Sequence, residues 1–131
     1  MLTSTHTLPL AAPQERVFAF LSQIENLPKW ATRFCKSVRR DGDGHRILTP
    51  QGEIAFRIEA DARTGIVDMY GGPSADAMAH WPARVVATPD GGSLLIFTAF
   101  QYPGVPGDAF ATQCAALAEE FDHLRRLTVA A

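Results

Sequence analysis

Histidine is the residue type of this sequence best suited to acid–base chemistry, and one of the four histidines stands out. His45 follows a turn at residues 41–44 and falls on the strand face predicted for Phe56 and Met69. A histidine among apolar side chains titrates near neutral pH and can act as a general acid or base. Its place at the end of a hairpin equally fits a solvated turn residue. The sequence therefore assigns no residue a catalytic role.

The two cysteines, Cys35 and Cys114, lie far apart and form neither a CxxC pair nor a disulfide framework. Reduced thiols of this kind are typical of the cytosol. Cys114 is expected on the inner face of a helix, where an inert thiol is favoured over a reactive thiolate because no cationic neighbour is evident. The histidines show no metal-ligand spacing, so we predict no metal site, and no cofactor-binding fingerprint is present.

Composition limits the possible function classes. The 131 residues fit one domain spanning residues 1–131. The net charge is −2, and no basic block is longer than an arginine pair, which argues against a nucleic-acid partner. No apolar run approaches the length of a membrane span, and the first residues lack the pattern of a signal peptide. We expect a cytoplasmic protein.

The elements that must position these residues can be predicted from hydrophobic periodicity and turn signals. Residues 2–10 alternate as an edge strand, and a short helix follows Pro13. Residues 22–31 contain a second short helix that is started or interrupted at Pro28. From residue 35 to residue 101, β-rich runs are separated by turns rich in glycine, aspartate and proline, which predicts an antiparallel meander.

The last part of the chain predicts one long amphipathic helix over residues 108–128. Its apolar positions recur at alternating spacings of four and three residues: Phe110, Cys114, Leu117, Phe121 and Leu124. Such a helix is roughly 30 Å long, which is comparable to the width of seven strands spaced about 4.8 Å apart. A seven-stranded sheet that curls around the helix can bury its apolar face, with the two short helices closing one end.

Two segments then suggest a family. The opening LPLAAPQERVFAFLSQIENLPKWA and the terminal DAFATQCAALAEEFDHLRRL resemble the START, polyketide-cyclase and birch-pollen-allergen superfamily (SRPBCC). The resemblance implies an α+β helix-grip fold of the order β-α-α-β6-α, with a cavity between sheet and helix. Members bind lipids, hormones or polyketides, and some catalyse cyclisation or dehydration. No universal catalytic motif defines the superfamily, so the resemblance transfers no catalytic residue.

Hairpin turns predict strand register, and register predicts which side chains face the cavity. The predicted pairs include His45 with Phe56, Phe56 with Met69, and Trp81 with Phe100. Thr98 falls on the same face as Phe100 and, with His45, is predicted to orient a guest. The predicted ligand-binding residues are Trp30, His45, Phe56, Ile58, Met69, Trp81, Thr98, Phe100, Phe110, Cys114 and Phe121.

Three functions remain open. The interpretation we favour is binding of a small apolar or aromatic molecule inside the domain, with residues 70–77 and 102–107 as rims or lids. The second is an enzyme of the cyclase or dehydratase type that uses His45 or another polar group in the cavity. The third is a closed core without a ligand, in a protein that acts as a homodimer or partner module.

Overall fold

The structure is a computed structural model that describes residues 1–129. Strand β1 spans Thr3–Leu10, helix α1 spans Gln14–Leu21, and a 3-10 turn at Ile24–Asn26 leads into the short helix α2, Leu27–Trp30. The next strands are β2 Ser37–Asp41, β3 Gly44–Thr49, β4 Gly52–Asp61, β5 Ile66–Ser74, β6 Ala77–Trp81, β7 Ala83–Ala87 and β8 Ser93–Phe100. Helix α3 spans Gly107–Val129. The predicted α+β order of elements is confirmed.

The strands form one antiparallel sheet in the order β1-β8-β7-β5-β4-β3-β2, and β6 pairs with β5 beside β7. The described residues contain eight strands rather than seven because Pro82 divides one predicted strand into β6 and β7. Proline has no N–H to donate to a ladder, so pairing stops at that residue and resumes after it. β1 lies at an edge of the sheet, as its own proline predicts.

Register in the first half of the sheet agrees with the sequence except at one turn. The pairs His45–Phe56 and Ile47–Ile54 are confirmed. Met69 pairs with Ile58 rather than with Phe56. The reason is that the four-residue loop lies at residues 62–65, one position later than the predicted loop at 61–64. The shift leaves the apolar face of each strand unchanged.

The last hairpin contradicts the predicted register by one residue. Ala83 pairs with Phe97 rather than with Thr98, because β7 and β8 are joined by a five-residue loop at 88–92. In this loop the Thr88 N–H donates to the Gly92 carbonyl. A one-residue slip reverses the face of every side chain. Thr98 and Phe100 were therefore assigned to the wrong face of β8.

Residues 70–77 were predicted to be a longer connection between two halves of the sheet, and this prediction was wrong. β5 continues to Ser74, and β6 begins at Ala77 after a two-residue turn. Gly72 permits this tight hairpin, since a Cβ at that position would collide with the Ala77 carbonyl. The other predicted rim, 102–107, does join β8 to α3, although Gly107 already belongs to the helix.

The core lies between the sheet and α3. The helix buries Phe110, Leu117, Phe121 and Leu124. It packs against α2 and β1, while α1 packs against β7 and β8. Within residues 1–129, no helix is long and apolar enough to cross a membrane.

Candidate functional site

A cavity of about 330 Å³ lies between the sheet, α2 and α3. Its walls combine many apolar side chains with a few polar ones. The residues that line it are Leu27, Trp30, Ala31, Arg33, Phe34, Pro50, Gln51, Phe56, Met69, Trp81, Phe97, Ala99, Thr112, Gln113, Ala116, Leu117 and Glu120. Both tryptophans of the chain belong to this set.

Three aromatic rings in the wall form one cluster. The ring centroids of Phe34 and Trp81 are 5.5 Å apart, and those of Phe34 and Phe56 are 5.9 Å apart. Phe56 and Trp81 are separated by 6.4 Å. Tilted and edge-to-face contacts at these distances are favourable for aromatic pairs. The cluster therefore gives the cavity a preorganised aromatic wall built from β4, β6 and the segment after α2.

Four residues of the sequence-predicted set line this cavity: Trp30, Phe56, Met69 and Trp81. Their contact with a ligand stays a prediction. The sequence missed Phe34, which lies outside regular secondary structure. It also missed Phe97 and Ala99, since the register error on β8 selected their neighbours.

The other predicted residues occupy different places. Thr98 and Phe100 lie on the opposite face of β8, where the Thr98 hydroxyl bonds that of Thr5 at 2.9 Å and Phe100 packs on Tyr102. Phe121 contacts Phe97 edge-on at 5.8 Å, beyond the cavity wall.

Ile58, Phe110 and Cys114 complete the set. Ile58 packs against the core, Phe110 is buried near the start of α3, and Cys114 is half-buried on that helix. None of the three is among the lining residues of the cavity.

His45 also lies outside the cavity wall. Its side chain is 24% exposed, and its Nε2 lies 3.9 Å from Glu25 Oε2 at the protein surface. The strand pairing with Phe56 is as predicted, but the imidazole lies beside Glu25 of the 3-10 turn, and His45 is not among the lining residues of the cavity. The structure thus does not place His45 where a guest in this cavity would meet it.

Glu120 is a buried ionisable residue in the wall that sequence reasoning missed. It is 4% exposed, and its Oε2 accepts hydrogen bonds from the backbone N–H groups of Arg33 and Phe34, each at 3.2 Å. Burial raises the pKa of the Glu120 carboxyl above its ordinary value, although these two hydrogen bonds act in the opposite direction. The sequence does hold a signal: Glu120 lies three residues after Leu117 and four before Leu124, on the apolar face of α3.

The polar side chains beside Glu120 are paired with other partners. The Arg33 guanidinium pairs with Glu119 at 3.2 Å, and both side chains are well exposed. His123 Nδ1 lies 3.2 Å from the Thr32 hydroxyl and 3.3 Å from the Trp30 carbonyl.

The thiols and possible metal ligands show no second site. Cys35 is buried, and burial raises the pKa of its thiol to about 11. Among residues 1–129, no group of three or more His, Cys, Asp or Glu side chains is placed to hold a metal ion.

No family model matches the sequence, and no curated protein matches it significantly. Solved structures do match. The protein XoxI from Bacillus cereus superposes with a TM-score of 0.76 at 15% identity, over 99% of this chain and 97% of that one.

Two further solved structures share this architecture. A START superfamily protein from Mycobacterium smegmatis matches 93% of this chain and 92% of that one, with a TM-score of 0.65 and 17% identity. This chain has the START-like helix-grip fold. The di-domain ARO/CYC BexL of the BE-7585A biosynthetic pathway also matches, with a TM-score of 0.68 and 17% identity, over 96% of this chain and 46% of that one. The helix-grip chain thus spans about half of BexL, and these identities establish the fold alone.

Proposed function

We propose that this helix-grip chain binds a small apolar or aromatic molecule in the cavity between the sheet and α3. The observation that carries the proposal is the aromatic cluster on the wall of a cavity of about 330 Å³. Ligand sites in proteins are concave and mostly apolar, with few polar groups that fix orientation. A solid core would leave no such space, so this proposal is favoured over the closed-core alternative.

The driving force is removal of apolar surface from water. A guest and the cavity wall that together remove roughly 350 Å² of apolar surface from water gain about 9 kcal/mol at about 25 cal/mol per Å². Lost translational and rotational freedom offsets part of that gain, which places the expected dissociation constant near the micromolar to millimolar range.

The proposal is tested by ligand-dependent thermal stability in a matched pair of variants. Ala116 lines the cavity, whereas Ala118 is exposed on another face of α3. At 100 times its dissociation constant, 2-methoxynaphthalene should stabilise the wild type and Ala118→Phe by about 2.7 kcal/mol, and so raise the melting temperature by several degrees. Ala116→Phe should abolish this rise because its ring fills the cavity. An equal rise in both variants would contradict the proposal.

A cyclase-like enzyme remains the second candidate, because Glu120 places a buried carboxyl group at the cavity wall. Such an enzyme would use Glu120 rather than His45 to move protons on a poly-β-ketone substrate. The discriminating measurement is turnover of such a substrate by the wild type and by Glu120→Gln. Turnover that disappears in the variant supports the enzyme, and its absence from the wild type rejects it.

Two finer expectations belong with the proposal. Cytoplasmic location is supported by the two free cysteines and is tested by cell fractionation. A homodimer is tested by sedimentation, where a monomer at every concentration would exclude it.

A further inference from the structure

Glu120 is placed to do more than stabilise the chain. It lies one helical turn from Ala116 and Leu117 on the cavity wall, and its side chain is almost fully removed from bulk solvent. A buried carboxyl group is costly unless each oxygen finds a partner. Its two oxygens differ in this respect, and the difference indicates the chemistry of the guest.

The first oxygen is occupied. Oε2 accepts the N–H groups of Arg33 and Phe34, which fixes the carboxyl plane against the turn after α2. The second oxygen, Oε1, accepts no hydrogen bond from residues 1–129. Oε1 also keeps some solvent-accessible surface. Among residues 1–129, only His80 Nε2 is both fully buried and without a hydrogen-bond partner.

We infer that Glu120 Oε1 is the polar anchor of the ligand site, and that the guest is an uncharged aromatic molecule bearing a hydroxyl group. A hydroxyl that donates to Oε1 supplies the missing partner while the ring system lies against Phe34, Phe56 and Trp81. This inference rests on the proposed function, because it assigns an orientation to the same bound molecule.

The local charges favour a neutral guest over an anion. Arg33, the one Lys or Arg among the described lining residues, is paired with Glu119 at 3.2 Å. His123 makes its contacts with Thr32 and Trp30. An aromatic carboxylate would therefore meet the Glu120 carboxylate without a free cation to offset the repulsion, and like charges at close range in a desolvated site are unfavourable.

The test compares three ligands of one shape: 2-naphthol, 2-methoxynaphthalene and 2-naphthoate. Dissociation constants are measured at pH 7.5 from the two indole N–H signals in NMR titrations, since both tryptophans line the cavity. The wild type should bind 2-naphthol about tenfold or more tightly than its methyl ether, as expected for a hydrogen bond to a charged group. It should bind 2-naphthoate most weakly.

Glu120→Gln keeps an oxygen that can accept the N–H groups of Arg33 and Phe34, but it turns an NH₂ donor toward the guest. The variant should bind 2-naphthol and the ether with about equal affinity, and it should bind 2-naphthoate more tightly than the wild type does. Asp122→Asn is the matched control: Asp122 is exposed on the same helix and pairs with Arg125, so all three affinities should stay unchanged.

The outcomes separate the inference from the proposed function. Equal affinity of the wild type for 2-naphthol and its ether would overturn the hydroxyl anchor and leave apolar binding intact. Failure of all three ligands to bind would overturn both. If Glu120→Gln does not fold, the three affinities of the wild type alone still decide.

Discussion

At the residue scale, burial of the Glu120 carboxyl costs folding stability but leaves a hydrogen-bond acceptor at the cavity wall. Folding removes its carboxyl from water, and a charged group pays for that unless it is paired. Oε2 is paired with two backbone N–H groups, whereas Oε1 is left without a partner in residues 1–129. A group that costs stability at the wall of a cavity is a reasonable candidate for recognition.

This cost predicts a pH dependence that belongs to Glu120. Its folded-state pKa is raised, chiefly by burial, so folding favours the protonated form. The stabilisation is fully present below the ordinary pKa of a glutamate and is lost as pH rises through the raised pKa. Compared with Glu120→Gln, the wild type should therefore lose free energy of unfolding as pH increases from about 4 to neutrality. Urea unfolding of both proteins across this range is the measurement.

Subtracting the two unfolding curves cancels the contributions of groups that titrate in both proteins. A difference that stays constant with pH would mean that the carboxyl keeps its ordinary pKa on folding. A difference of the opposite sign would mean that the two N–H bonds outweigh burial.

The sequence does not reveal this residue because the acceptor and its donors are far apart in the chain. Hydrophobic periodicity predicted the apolar positions of α3 but treats a glutamate as solvated. The N–H groups of Arg33 and Phe34 belong to the turn after α2, and only the packing of that turn on α3 brings them to Glu120. The sequence did predict four residues of the cavity wall, because bulky apolar residues on inner faces are mostly buried. These four are Trp30, Phe56, Met69 and Trp81.

At the element scale, hairpin geometry decides which side chains reach the cavity. The β2–β3 and β3–β4 turns are short, so their register was predicted correctly from glycine and aspartate signals. The β7–β8 loop contains one more residue than predicted. Because of that extra residue, Phe97 and Ala99 lie on the inner face, where Thr98 and Phe100 were predicted. The sequence did not predict the exact length of this loop, because the loop is closed by a backbone hydrogen bond from the Thr88 N–H to the Gly92 carbonyl.

The β4–β5 turn depends on Gly65, and its substitution should be costly. Gly65 has a φ of 77°, and a Cβ there would collide with the Val85 carbonyl on the neighbouring strand. Gly65→Ala should therefore lower the free energy of unfolding by about 2–3 kcal/mol, from conformational strain plus the clash. Chemical denaturation gives the value directly.

Gly91 is the matched control for this substitution. It has a φ of 91°, but a Cβ at that position would meet no atom within 4 Å. Gly91→Ala should cost only the conformational part, about 1 kcal/mol. Equal losses in the two variants would show that the close approach of Gly65 to β7 contributes nothing.

At the scale of the whole molecule, the sheet and α3 share a single core, and the cavity exists because that core is incompletely filled. Leu124 is fully buried where α3 meets the sheet, whereas Leu127 on the same helix is 39% exposed. Leu124→Ala should destabilise the protein by about 2–5 kcal/mol, and Leu127→Ala by less than about 1 kcal/mol. Thermal and urea unfolding measure both. Similar small losses would mean that α3 is not held by the sheet.

The order of elements could be predicted from the sequence since each has its own periodicity or turn signal. The volume of the cavity could not be predicted, because it is a small difference between the volume that the sheet encloses and the volume of the side chains that enter it. Phe34, from an irregular segment, and Ala99, from a face assigned wrongly, both contribute to that difference.

Locating a bound guest is the most direct test of binding in the cavity. In an NMR experiment on the wild type with 2-naphthol, we predict intermolecular nuclear Overhauser effects from the naphthyl ring to Trp81 and Phe56, and their loss in Ala116→Phe. Effects confined to the opposite face of the sheet, around Phe100 and Tyr102, or none at saturating 2-naphthol, would contradict it.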